Sequence, residues 1–211
     1  MDTQHREPGW FDTIASQSLT TTGSYKNILQ AIGNTPLIQV NFDTPPLVLA
    51  KLEYLNPGGS LKDRSALYMI EEAERTGALK PGGVIIEASS GNQGIAAAMI
   101  GAYKGYRVII TASEKVSKEK LDTLRAYGAE VVLCKPTLKL DDPASYNSKA
   151  QEIHKNTPNS IFLSQYFNPA NSRAHYHGLG PEVWKQTNGT VTHFIAAAGS
   201  CGHSNGAGQY L

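Results

Sequence analysis

Lys62 is the residue around which chemistry can be built in this sequence. It lies in the run Asn56-Pro57-Gly58-Gly59-Ser60-Leu61-Lys62-Asp63-Arg64. The glycines let the backbone turn tightly, and the lysine then falls in the first turn of a helix. The positive end of the helix dipole disfavours a cation there. An amine that gives up its proton more readily can attack a carbonyl and form a Schiff base. Taken alone, the same run also describes a solvent-exposed lysine at a helix start.

Two further segments carry hydroxyls, amides and glycines at turns. Glu87-Ala88-Ser89-Ser90-Gly91-Asn92-Gln93-Gly94 joins an expected strand to an expected helix. Its hydroxyls, amide and free backbone N–H groups could converge on a carboxylate. Ordinary capping by Ser90 or Asn92 is the alternative. Ala198-Gly199-Ser200-Cys201-Gly202-His203-Ser204-Asn205-Gly206 leads from an expected buried strand through glycines into a helix, the arrangement of a phosphate cradle. No GK[ST] follows, and the G-x-G-x-x-G order of a dinucleotide site is absent. A lysine for an aldehyde, a carboxylate nest and a phosphate cup together suit a phosphorylated aldehyde acting on an amino acid.

The elements that must position these groups alternate along the chain. A short helix is expected over Ile28–Ile32, ending at Gly33, and a strand over Val48–Leu52. A helix should run from Leu61 to about Arg75, capped by Ser60, with Asp63 completing a capping box and Gly77 as its stop. Strands are expected at Val84–Glu87, Arg107–Thr111, Glu130–Leu133, Ile161–Leu163 and Val191–Ala198. Helices are expected at Ala96–Tyr103, from Ser117 to Tyr127, at Tyr146–Lys155, in part over Arg173–Gln186, and from Gly206. Alternation of this kind predicts an α/β fold with a doubly wound parallel sheet. Ligands would then sit beyond the carboxyl ends of strands, after Glu87 and after Ala198. Residues 1–24 read as a disordered polar tail, and the uncapped end at Leu211 suggests C-terminal truncation.

The chain has 211 residues, 40% hydrophobic and 18% charged, with a formal net charge of +1. No global field therefore attracts nucleic acid, and no apolar run approaches the ~20 residues of a membrane span. Neither nucleic-acid nor membrane partners are expected. Two cysteines, Cys134 and Cys201, are too few for a disulfide framework and suit a cytoplasmic location. A metal at His175, His177, His203 and Cys201 is disfavoured. Trp10, Phe11 and Ile14 are read as incidental tail residues.

From about Asn27 to Leu211 the motifs, in order, resemble the fold type II pyridoxal-phosphate enzymes of the cysteine synthase and cystathionine β-synthase family. The likeness is carried by Ile32-Gly33-Asn34-Thr35-Pro36-Leu37, Lys51 to Lys62, Lys104-Gly105-Tyr106-Arg107, Glu114-Lys115 and Leu124 to Glu130. Asp142-Pro143, Pro158-Asn159-Ser160, Gln165 to Asn171 and Ala174-His175-Tyr176 extend it. The resemblance implies a tryptophan synthase β-like fold with a small mobile subdomain at about 88–165 and a second domain begun at about 171–211.

The resemblance also implies pyridoxal 5′-phosphate as cofactor, bonded to Lys62, which later moves the α-proton. Asn92 would hydrogen-bond the ring hydroxyl, and Gly199, Ser200, Cys201, Gly202 and His203 would surround the phosphate. Ser89, Ser90, Gly91, Gln93 and Gln165 would hold the substrate carboxylate. The implied activity is β-replacement on serine or O-acetylserine by a thiol or sulfide, giving cystathionine or cysteine, in a homodimer. A non-catalytic binding protein on the same fold, or an inactive fragment, is the alternative, and a nucleotide-binding Rossmann domain a more distant one. Where the family has threonine, this chain has Ser89 and Gln93, and its phosphate turn reads Gly199-Ser200-Cys201-Gly202-His203 rather than GTGGT. The tail has His5 but no cysteine, so no haem is expected.

Overall fold

The computed structural model describes residues 24–43, 45–136, 139 and 142–211. The polar tail, apart from Ser24, and the Trp10, Phe11 and Ile14 side chains lie outside the described residues. A 3-10 turn at Ile28–Ala31 is capped by Asn27, whose side chain accepts from the N–H groups of Leu29 and Gln30. Two short strands follow, β1 (Leu37–Val40) and β2 (Val48–Lys51), paired antiparallel with Leu37 opposite Lys51. Strand β2 was expected from the sequence; β1 was not.

Helix α1 (Lys62–Arg75) precedes the main sheet. The chain then alternates through β3 (Val84–Ala88), α2 (Asn92–Lys104), β4 (Arg107–Ser113), α3 (Lys118–Ala126), β5 (Glu130–Cys134), α4 (Tyr146–Lys155) and β6 (Ser160–Phe162). The four strands pair in parallel in the order β5-β4-β3-β6. Strand β3 is buried along its whole length, as a strand covered on both faces must be. Ile85, Val108 and Ile110 pack with α1 and α2 on one face, and Val84, Ile86 and Ile109 with α4 on the other. The doubly wound expectation therefore holds for this sheet. Small residues let α2 lie close: a Cβ on Gly101 would collide with Val108.

Three further helices complete the described chain: α5 (Ala170–Tyr176), α6 (Leu179–Gln186) and α7 (Gly202–Tyr210). Gly178, Gly180 and Pro181 all suggest helix interruptions from sequence. The break falls at His177 and Gly178, whereas Gly180 and Pro181 lie inside the first turn of α6. Proline fits there because first-turn N–H groups have no intrahelical acceptor.

Two expectations are corrected. Val191–Ala198 is not a strand, and Ile195 is 94% exposed. An apolar run becomes a strand when a neighbour takes its backbone hydrogen bonds, and no described strand lies alongside this one. The capping box is also absent. Asp63 Oδ2 accepts from the Gly58 N–H at 2.5 Å, while Ser60 Oγ accepts from the Lys62 N–H at 3.1 Å.

The hairpin, α1 and α6 are tied by one buried ion network. Arg64 is fully buried and donates from Nε to Glu53 at 2.7 Å and from Nη1 to Glu182 at 2.6 Å. Lys51 Nζ donates to Glu182 at 2.7 Å, and Thr35 Oγ1 to Glu53 at 2.7 Å. Burial alone would raise both carboxyls, but Arg64 overcomes it and holds Glu53 and Glu182 below the usual carboxylate range. Arg64→Met leaves two buried carboxylates without their main cation. It is expected to cost about 3–5 kcal/mol in urea unfolding at pH 7. Depressed carboxyl pKa values stabilise the fold above the ordinary value of 4.5, and that stability is lost as pH falls through the folded-state values. Acid unfolding of the wild type should therefore begin below pH 4.5, with the variant's stability deficit shrinking there.

Candidate functional site

The loop before α1 is held at each turn before it delivers Lys62. Buried Asn56 accepts from the Gly33 N–H at 2.9 Å and donates to the Glu53 carbonyl at 2.8 Å. Gly59 has φ +81°, in the left-handed region that favours glycine. A Cβ on Gly58 would collide with the Asp63 carboxylate, so glycine alone lets the backbone come this close to it. Lys62 is then the first residue of α1, and its Nζ donates to Ser200 Oγ at 3.2 Å, across 138 residues of sequence. Burial lowers the amine's pKa, against an opposing pull from Glu87.

The second segment forms the turn from β3 into α2. Gly91 occupies the cap position, and no side chain caps the helix. Ser90 Oγ accepts from the Ser113 N–H at 2.9 Å, and Ser89 Oγ from the Gly91 N–H at 3.2 Å. Capping by Ser90 or Asn92 is therefore not their use, and the first-turn N–H groups of α2 remain open. Asn92 is exposed at the first helical position. Gln93 is buried: its Oε1 accepts from Ser65 Oγ at 3.0 Å, and its Nε2 has no partner. Ser65 also reaches the Lys62 carbonyl at 3.1 Å, which joins this turn to the lysine's helix. The Lys120 ammonium stands 3.8 Å from where a Cβ on Gly91 would lie.

The third segment turns into α7 through Cys201, whose φ is +57°. No side chain caps this helix either, so its first N–H groups also face outward from the helix end. Ser200 Oγ receives both Lys62 Nζ and Asn171 Nδ2, the latter at 3.1 Å. The same Asn171 amide donates to the Gln165 carbonyl at 2.8 Å, which links buried Gln165 to the turn. A Cβ on Gly202 would collide with the Asn171 amide, so only glycine fits beside it. His203 stands edge-on to buried His175, ring centroids 5.9 Å apart. Burial lowers both imidazoles' pKa values, with Lys62 adding to the effect, and His175 falls well below the ordinary histidine value.

Unpaired polar atoms gather around Lys62. Nε2 of Gln93, Oδ1 of Asn171 and both ring nitrogens of His175 are buried without a hydrogen-bond partner among the described residues, and the buried Glu87 carboxyl faces the Ser164 and Gln165 N–H groups. Each unpaired group costs roughly 1–3 kcal/mol, and native folds keep few. Burial pushes the Glu87 carboxyl up to about 8, against the Ser164 N–H and Lys62, so it holds its proton at neutral pH. Sequence reasoning gave no role to Ser65, Glu87, Asn171 or Lys120, and weighed His175 only as a metal ligand. Ser65 alone had a readable signal, lying one helical turn beyond Lys62.

A family model described as pyridoxal-phosphate dependent enzyme matches residues 28–211. Cystathionine beta-synthase of Apis mellifera is 45% identical over 201 residues, covering 91% of this chain and 40% of the relative. Cysteine synthase 1 of Emericella nidulans is 42% identical over 192 residues, covering 90% and 52%. Cysteine synthase B of Escherichia coli is 44% identical over 185 residues, covering 86% and 60%. The chain thus spans from 40% to 60% of the length of these three relatives. A crystal structure of a hydrogen sulfide-producing enzyme from Fusobacterium nucleatum superposes with a TM-score of 0.82 at 39% identity, covering 89% of this chain and 62% of that one.

Two outcomes follow from the strained and buried groups. Cys201→Gly relieves a left-handed cysteine and should raise stability by about 0.5–1 kcal/mol in urea unfolding. Glu87 keeps its proton in the folded state to about pH 8, whereas unfolded it would lose it near 4.5. Its stabilising contribution is therefore full below about 4.5 and falls away as pH rises to about 8. Thermal unfolding of Glu87→Gln should lose less stability between pH 5 and pH 8 than the wild type does.

Proposed function

The chain belongs to the pyridoxal-phosphate dependent enzyme family, and from that membership we propose that it carries the lysine-bearing part of an enzyme replacing the β-substituent of an amino acid with a thiol or sulfide. Pyridoxal 5′-phosphate is the family's cofactor. The residues suit it on three observations: an amine with lowered pKa, an uncapped helix end beside it, and a glycine pressed against Asn171 where no side chain fits. When bound, the cofactor draws off the negative charge that develops at the substrate's α-carbon. The observation that carries the reading is Lys62 Nζ at 3.2 Å from Ser200 Oγ. It brings the amine of the first segment to the mouth of the third.

In this reading Lys62 would hold the cofactor through its aldehyde, and burial, which lowers the amine's pKa, favours the neutral form such bonding needs. The same amine would take the substrate's α-proton, and Asn92 would donate to the cofactor's ring hydroxyl. Gly199, Ser200, Cys201, Gly202 and His203 would surround the phosphate with backbone N–H groups and side-chain donors. Ser89, Ser90, Gly91, Gln93 and Gln165 hold the substrate carboxylate, with the open first turn of α2 behind them. The substrate is serine or O-acetylserine, and the product cystathionine or cysteine.

The partners are small amino acids and thiols. The reading places the protein in the cytoplasm as a homodimer. Both cysteines are free, and among the described residues no helix is long and apolar enough to cross a membrane. Ile38, Phe42, Leu47 and Leu49 are exposed on and around the hairpin, an apolar surface of the kind subunits cover.

Borohydride reduction of the protein with pyridoxal 5′-phosphate, followed by peptide mass spectrometry, tests the cofactor assignment. One pyridoxyl group per chain on Lys62, lost in Lys62→Ala, is the expected result. Labelling scattered over surface lysines would overturn it.

A further inference from the structure

Asn171 is buried in the first turn of α5, and its amide is fixed from three directions. Nδ2 carries two hydrogens. One goes to the Gln165 carbonyl at 2.8 Å and the other to Ser200 Oγ at 3.1 Å. Gly202 lies so close that a Cβ there would overlap the same amide. Turning the amide over would bring Oδ1 against the Gln165 carbonyl, acceptor to acceptor, and forfeit that bond. The chain itself therefore sets the orientation. Helix α7, which follows Ser200, is seated on α5 as firmly. Gly202 and Gly206 are four residues apart on α7 and share a face. A Cβ on Gly206 would collide with the Ser172 carbonyl of α5, and Asn205 Nδ2 donates to Ser172 Oγ at 2.9 Å. Close backbone packing places the head of α7, and the Asn171 amide holds the Ser200 hydroxyl just before it.

Lys62 relies on that hydroxyl. Its amine stands at the end of a flexible four-carbon stem, and Nζ donates to Ser200 Oγ at 3.2 Å. A serine side chain has three staggered positions open to it, and only an oxygen kept in this one can receive the amine. We propose that Asn171 is a positioning residue for Lys62: by fixing the Ser200 hydroxyl it holds the lysine amine at the head of α7, where an aldehyde would meet it. This rests on the functional reading above and gives a role to a residue that the reading leaves out. Holding a reacting amine in one place lowers the entropy cost of each encounter with a carbonyl, so the bond between Asn171 and Ser200 should be visible in how fast Lys62 reacts.

Timed labelling of the full chain with pyridoxal tests this, because pyridoxal lacks a phosphate and leaves phosphate binding out of the rate. The amine adds to the aldehyde carbon, water leaves, and borohydride reduces the imine to a pyridoxyl mark that peptide mass spectrometry assigns to Lys62. Lys118, 85% exposed, gives the reference rate in the same digest. Asn171→Ala should slow marking of Lys62 relative to Lys118 about tenfold, the worth of one hydrogen bond. Asn171→Leu keeps the volume without the donors and should do the same if the smaller variant does not fold. Ser200→Ala cuts the chain of bonds at its other link and should slow Lys62 as much, whereas Ser200→Thr keeps the hydroxyl and should restore the rate. With Asn171 acting through Ser200, the double variant should be no slower than either single one. A merely structural role for Asn171 would make the two losses additive, which overturns the proposal, as does an unchanged rate in Ser200→Ala or in the folded Asn171 variants. Labelling of the wild type with pyridoxal 5′-phosphate separates the two levels. No mark on Lys62 there sinks the functional reading and this one with it, whereas full marking with unchanged rates in the variants sinks the Asn171 proposal alone.

Discussion

The buried guanidinium of Arg64 is the constraint on which the arrangement of the site depends. A charge without water must be matched by charges and hydrogen bonds in fixed directions. Arg64 finds them in Glu53, just after β2, and in Glu182 of α6. Lys51 and Thr35 complete the shell. Three parts of the chain, distant in sequence, are thereby held to one residue of α1. Lys62 lies two positions before it, so the network that fixes Arg64 also fixes the root of the lysine. Apolar packing of similar volume could hold these elements together, but it would not set direction so narrowly, because it is not directional.

The opposite condition holds on the other side of Lys62. Gln93, Asn171 and His175 carry buried atoms without a hydrogen-bond partner among the described residues. The fold is less stable for keeping them. Their surroundings keep Glu87 protonated and His175 neutral at pH 7, so the region around the lysine carries little net charge of its own. A low-dielectric pocket with unspent donors and acceptors binds a polar ligand more strongly than one already satisfied internally. The ion network fixes α1, whereas the unpaired groups cost the fold stability.

Much of the site was legible because its residues are contiguous. The glycines before Lys62, the Ser89 to Gln93 turn and the Gly199 to His203 turn each carry their own backbone chemistry, and local chemistry is written in local sequence. Strand and helix alternation was readable for the same reason, since period and punctuation are short-range properties. The failures share the opposite cause. Val191–Ala198 has a strand's composition, but a strand also needs a neighbour. Asp63 had the spacing of a capping box, but the Gly58 N–H lay closer to hand. Strand β1 was passed over because its pattern is four residues long and half exposed.

By itself, the sequence determined the family and the alternating α/β plan, since each depends on residues adjacent in the chain. Tertiary structure alone decided that Lys62 meets Ser200, that Asn171 bridges Ser200 to Gln165, and that Ser65 donates to Gln93. These contacts join residues from 6 to 138 positions apart. No periodicity encodes such pairings, because they depend on where whole helices come to rest once the sheet and the Arg64 network have closed around them.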